Sequence, residues 1–84
     1  MEINLIKEQV KNIIIESMEL DISPNEIDGT DLINELLISS IDAVSIFVYI
    51  ENTFDISIEG DDLTVELISS LDNIGKFILN KINK

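Results

Sequence analysis

The stretch Leu36-Leu37-Ile38-Ser39-Ser40-Ile41-Asp42-Ala43-Val44-Ser45-Ile46-Phe47-Val48-Tyr49-Ile50 decides how this chain folds. Two serines and an aspartate head a run that is otherwise almost wholly apolar. The pattern predicts a helix from about Ser40 to Thr53 with a polar N-terminus. At 100° per residue, Ala43, Ile46, Phe47, Ile50 and Phe54 fall within an arc of about 100°, enough to seal against the first helix of the chain. Ile41, Val44, Val48 and Tyr49 are left outside that arc. Ser40, Val44, Val48 and Glu51 form a stripe of their own, about a right angle from the core centre. A helix buried on every side would also use all these apolar residues. In so short a chain few helices are available to surround it, so a half-exposed apolar ridge beside Ser40 is the sharper expectation.

Working outward, the segment Ile3 to Leu20 carries Ile3, Ile6, Val10, Ile13, Ile14 and Ser17 or Met18 at helical spacing, with Lys7, Glu8, Lys11, Asn12 and Glu16 mainly opposite. It predicts a first, core-forming helix. Asp21 to Glu26 breaks it, because Pro24 cannot continue a helix and Ser23 and Glu26 suit a capped turn. The connection from Asp21 to Ile38 is long, with scattered anchors at Ile22, Ile27, Leu32, Ile33 and Leu36, and it leads into the serines. Long ordered loops in compact domains are often functional.

Beyond Asp55, Ile56-Ser57-Ile58 reads as an extended link. A short third helix is expected from Gly60 to Leu67, with Asp61 and Asp62 complementing its dipole. Ser69 or Ser70 caps a last helix from Leu71 to Ile82, Asp72 lying three after Ser69 as in a capping box. Leu71, Ile74, Phe77, Ile78 and Ile82 form its core stripe, and Lys76, Lys81 and Lys84 come late, where they suit its C-terminal charge. The expected fold is all-α: a single domain over residues 1–84, a small bundle of four helices with a short third helix and a long loop between the first two.

Composition narrows the chemistry. Eighty-four residues with 45% apolar content suit one small core, and a chain this size buries only about 60–65% of its unfolded surface. There is no cysteine and no histidine, so thiolate sites, disulfides and His-activated nucleophiles are excluded. Seventeen acidic residues against five lysines give a net charge of −12 with no arginine. Nucleic acid is a poor partner for such a chain, and a basic protein surface a good one. The apolar runs fall short of the ~20 residues of a membrane span, so a cytoplasmic chain without membrane insertion is expected. Asp55 to Glu66 has the span of a calcium loop with Gly60 at its sixth position, but the helix expected from Gly60 competes with it.

Ser40 is the residue to watch. With no histidine in the chain and no lysine near in sequence, it is not a self-activated nucleophile. It can be modified by another enzyme, and a helix N-terminus favours a phosphate attached there. The plainer reading is that Ser39 or Ser40 is only a helix cap.

Glu35-Leu36, Ser39-Ser40-Ile41-Asp42 and Val44, followed by Ile50-Glu51, Phe54-Asp55-Ile56 and Ile58, resemble the acyl carrier protein family over nearly the whole chain. Lys7 to Ile15 looks like the first helix of that family, and Leu32 like its loop anchor. The resemblance implies a non-enzymatic carrier in which a phosphopantetheinyl transferase attaches 4'-phosphopantetheine from coenzyme A to Ser40. The arm's thiol would then hold acyl groups as thioesters, with some acyl chains sheltered between the second and third predicted helices. It further implies that Ile41, Asp42, Val44, Val48, Glu51 and Asp55 meet partner enzymes: the transferase, and acyl-loading and synthase enzymes. Ser39 stands where the family usually has Asp, Ile41 where it has Leu, and Leu37 where Gly is common. Ser45 and Asn52 stand where fatty-acid carriers often have Glu. A monomeric carrier dedicated to a polyketide, peptide or other specialised pathway fits these departures at least as well as general fatty-acid synthesis. Aminoacyl or D-alanyl carriers share the fold and the serine. A non-covalent module docking a partner helix is the alternative from another class.

Overall fold

The structure is a computed structural model that describes residues 2–83. Five α-helices form: α1 (Ile3–Met18), α2 (Leu32–Leu36), α3 (Ser40–Phe54), α4 (Val65–Ser69) and α5 (Leu71–Ile82). Single 3₁₀ turns at Pro24–Glu26 and Gly60–Asp62 punctuate the connections. The helix α1 packs most extensively on α5 and then on α3. Ile6, Val10, Ile13 and Ile14 of α1 are buried with Ile46, Phe47 and Ile50 of α3 and Leu71, Ile74 and Ile78 of α5. Every one of these positions recurs at the three-and-four spacing that turns a helix stripe into a core. Gly75 sits where α1 and α5 approach closely: a Cβ there would meet Lys7 Cγ at 3.1 Å and Ile3 Cγ1 at 3.3 Å.

The all-helical bundle with its long first connection is what the sequence predicts, with two differences of detail. First, the connection contains α2, a single turn of helix anchored by fully buried Leu32. Second, the short helix after Gly60 starts later than Gly60–Leu67. The Glu59 N–H donates to Asp62 Oδ2 at 3.0 Å and closes a 3₁₀ turn. The α-helix begins only after Thr64, whose Oγ1 accepts the Leu67 N–H at 3.1 Å. Two start signals lie close together, and only the one followed by Leu67 and Ile68 leads apolar residues into the core. Asp62 Oδ2 is also the partner of Lys81, 3.7 Å away, and Lys84 lies outside the described residues.

Three helices end in the same way. Glu19, Leu37 and Asp55 have φ of 53°, 55° and 55°, in the left-handed region that favours glycine. The following amide in each case bonds back five residues: Leu20 to Ile15 O (3.0 Å), Ile38 to Ile33 O (3.1 Å) and Ile56 to Glu51 O (3.2 Å). These are Schellman closures, and each places an apolar residue, Leu20, Ile38 or Ile56, against the core. Glycine is absent from all three ends, so each carries some backbone strain.

The loop before α2 is held by one carboxylate. Glu35 accepts the Asp28 N–H at 2.7 Å and the Gly29 N–H at 3.0 Å. Gly29 O in turn accepts the Leu71 N–H at 2.9 Å, tying the loop to the start of α5. Gly29 has φ of +87°, and a Cβ on it would approach Leu71 Cγ to 2.8 Å, so only glycine fits. The opposite end of α3 repeats the device: Glu51 Oε2 accepts the Ile58 N–H at 2.8 Å and fastens the extended link after Asp55.

Candidate functional site

The two serines at the head of α3 have different tasks. Ser39 is the N-cap, with extended φ and ψ of −85° and 171°. Its Oγ accepts the Asp42 N–H at 3.1 Å, and its own N–H donates to Asp42 Oδ2 at 3.1 Å. This reciprocal pair is a capping box with aspartate as its acid. Ser40 is therefore the first helical residue, and its exposed hydroxyl enters no hydrogen bond among the described residues. The Ser39 carbonyl accepts the Ala43 N–H at 2.9 Å, and among the described residues the amides of Ser40 and Ile41 have no protein acceptor. Free amides at the positive end of a fifteen-residue helix suit a phosphate ester on the adjacent hydroxyl.

Beside Ser40 lies an apolar groove of about 410 Å³, within the range of about 300–1,000 Å³ common to small-ligand pockets. One wall is the cap Ser39 with Ser40, Ala43, Val44 and Phe47 of α3, and the facing wall is Leu63, Thr64, Val65 and Ile68, with Ile33 and Ile38 also lining it. Leu63 and Val65 are exposed. Their part was not read from the sequence, because each taken alone looks like an ordinary surface or core residue of a short helix. Only their placement across the groove from α3 makes them a wall.

The other residues singled out in the sequence fall into two groups. Ile41, Val44 and Val48 are exposed on α3, while Ile46, Phe47 and Ile50 are buried, so the helix has a free apolar face. Asp55 is exposed at the C-terminus of α3. The carboxylates of Asp42 and Glu51 both accept backbone N–H groups, from Ser39 and Ile58. Tyr49 is also exposed. Among the described residues no three carboxylates gather in a way that could hold a metal ion, and Ile56 and Ile58 of the calcium-loop-like stretch pack against the core. No described helix is long and apolar enough to cross a membrane.

Fold and site together define a small helical domain that displays one free hydroxyl at a helix N-terminus beside an apolar groove. A family model described as the phosphopantetheine attachment site matches residues 8–78, and the chain belongs to that family. The family's cofactor is 4'-phosphopantetheine, attached covalently to the domain. Its carrier domains work with phosphopantetheinyl transferases and synthase enzymes and are not themselves catalytic. No curated protein matches the chain closely enough to add a relative by name.

Proposed function

We propose that this protein is a single-domain, monomeric, non-enzymatic acyl carrier of the cytoplasm, with Ser40 as the attachment point of its phosphopantetheine arm. The observation that carries the reading is the division of labour between the serines: Ser39 satisfies the helix cap, so Ser40 Oγ is exposed and uncommitted. The chain offers no histidine, and its lysines lie on α1, on α5 and at residue 84. With the nearby Asp42 carboxylate committed to the Ser39 amide, the base that activates Ser40 is assigned to the transferase. In that step Ser40 Oγ bonds to the β-phosphorus of coenzyme A, its proton passes to the enzyme's base, and adenosine 3',5'-bisphosphate leaves. The amides of Ser40 and Ile41 face the resulting phosphodiester charge, and the groove between α3 and α4 offers an acyl chain an apolar shelter beginning at Ser40.

Ile41, Val44 and Val48 supply the apolar part of the docking face and Asp42, Glu51 and Asp55 the acidic part. Ser45 and Asn52 leave this face less acidic than that of a general fatty-acid carrier, which supports a dedicated biosynthetic pathway. The same fold and serine would serve an aminoacyl or peptidyl group. The test is incubation with coenzyme A and a broad-specificity phosphopantetheinyl transferase, followed by intact-protein mass spectrometry. The wild type gains the mass of one arm, Ser39→Ala gains it too, and Ser40→Ala does not. No gain on the wild type, or an equal gain on Ser40→Ala, overturns the assignment.

A further inference from the structure

We propose that Leu37, acting with Ile41, is the specificity-determining contact through which this carrier is recognised by the enzyme that closes over Ser40. The proposal rests on the reading of Ser40 as the tether. Leu37 and Ile41 are 81% and 80% exposed, more than any other large apolar residue described. Neither belongs to the core, and neither lines the groove between α3 and α4. Folding and acyl shelter therefore explain neither, and the docking face proposed above accounts for Ile41 alone. They bracket the site along the chain, three residues before Ser40 and one after.

Leu37 is the more informative of the two. The Schellman closure of α2 needs a residue with positive φ, and glycine would supply it without strain. At the other two such ends the strained residue is Glu19 or Asp55, a polar side chain at home in water. Among the described residues, only Leu37 places a large apolar side chain both in the left-handed region and in solvent. The Schellman closure and the burial of Ile38 offset the backbone strain, but the exposed Leu37 side chain, at the doorstep of the modified serine, joins no core cluster that would reward its size. The compensation belongs to a partner.

Charge identifies the partner's chemistry. Between Lys11 and Lys76 the chain holds no positive residue, while acidic residues recur throughout, among them Asp31, Glu35 and Asp42 around this site. A second copy would bring two molecules of net charge −12 together, which like-charge repulsion opposes. The occupant that fits is an enzyme surface with an apolar pocket for Leu37 and Ile41, rimmed by lysine or arginine, set around the active site that receives Ser40.

The experiment measures initial rates of arm attachment by a broad-specificity phosphopantetheinyl transferase with coenzyme A, as a function of carrier concentration. Wild type is compared with Leu37→Gly, Leu37→Ala and Leu37→Met, and thermal unfolding of each is recorded. Relief of strain raises the melting temperature of Leu37→Gly above wild type. Loss of the contact raises its KM about fivefold to tenfold with kcat unchanged. Leu37→Ala shows the same KM without the gain in stability, and Leu37→Met stays within about twofold of wild type. A merely structural role for Leu37 cannot make the protein more stable and a poorer substrate together. Equal KM for wild type and Leu37→Gly overturns the proposal while leaving Ser40 as the tether. Sedimentation showing a wild-type dimer that Leu37→Gly dissolves assigns the surface to a second copy and overturns it as well. Failure of the wild type to accept the arm overturns both readings.

Discussion

Exchanging the two serines for alanine, one at a time, separates capping from tethering. Ser39 Oγ accepts the Asp42 N–H at 3.1 Å in an exposed capping box. Loss of such a cap costs about 1 kcal/mol, within a range of roughly 0.5–2. For a domain of this size that lowers the melting temperature by about 4–8 °C. Asp42→Ala removes the reciprocal bond from the Ser39 N–H and a favourable charge at the N-terminus of α3, about 0.5–1 kcal/mol more. Because the two side chains act on one another's backbone, the double variant loses less than the sum, with a coupling of roughly 0.5 kcal/mol. Ser40 has no bond to lose, and alanine is at least as good a helix former at that position. Ser40→Ala should therefore stay within about 0.5 kcal/mol of wild type. Urea and thermal unfolding followed by far-ultraviolet circular dichroism give the stabilities, and mass spectrometry after incubation with the transferase gives the loading. The expected pattern is crossed: Ser39→Ala is destabilised and loaded, Ser40→Ala is stable and unloaded. If Ser40→Ala is the less stable variant and Ser39→Ala is neutral, the assignment of cap and tether is wrong.

Other parts of the structure give further tests. Glu35→Ala leaves the Asp28 and Gly29 amides without their acceptor, so hydrogen exchange at those two amides should accelerate and stability fall by about 1–2 kcal/mol; unchanged exchange there would show that the staple is not formed in solution. Gly29→Ala meets both a positive φ and the Leu71 side chain and should cost more than about 1 kcal/mol by urea unfolding, whereas a neutral result would mean that the loop relaxes freely. The hydrogen bond from Lys7, and then its positive charge, hold the Asp72 carboxyl below the ordinary value of 3.8. A lowered folded value means that this contribution to stability is complete above 3.8 and is lost as pH falls below it. Carboxyl NMR titration should show Asp72 moving up toward 3.8 in Lys7→Met and in high salt, and identical midpoints in the two proteins would remove the ion pair from the account.

Much of this was legible along the chain. Periodicity was sufficient for α1, α3 and α5, because a helix stripe is a local pattern that the core then uses without alteration. The exposed ridge of Val44 and Val48 also followed, since a face leaning about a right angle from Ile46, Phe47 and Ile50 cannot be buried by the same neighbours. Which of Ser39 and Ser40 caps α3 stayed open in the sequence, although Ser39 and Asp42 have the spacing of a capping box. Reasoning from that spacing fails at the next serine pair. Ser69 and Asp72 have the required spacing, yet Ser70 caps α5 by accepting the Asn73 N–H at 3.1 Å, and Asp72 is drawn away to Lys7 of α1. A rule based on spacing sees one helix, and here the competing partner lay on another.

What the sequence by itself determined is therefore the set of apolar stripes, the all-helical class, the acidic character and the position of a serine at the head of a half-buried helix. Each depends on residues within one or two turns of each other, where chemistry and spacing are nearly the whole cause. Only the tertiary structure decided which signals take effect. It turned Glu35 and Glu51 into staples for distant amides, made a groove of Leu63 and Val65 by setting them against α3, and left Leu37 strained and uncovered beside Ser40. Those outcomes depend on groups brought together from far along the chain, and no local pattern ranks one such partner above another.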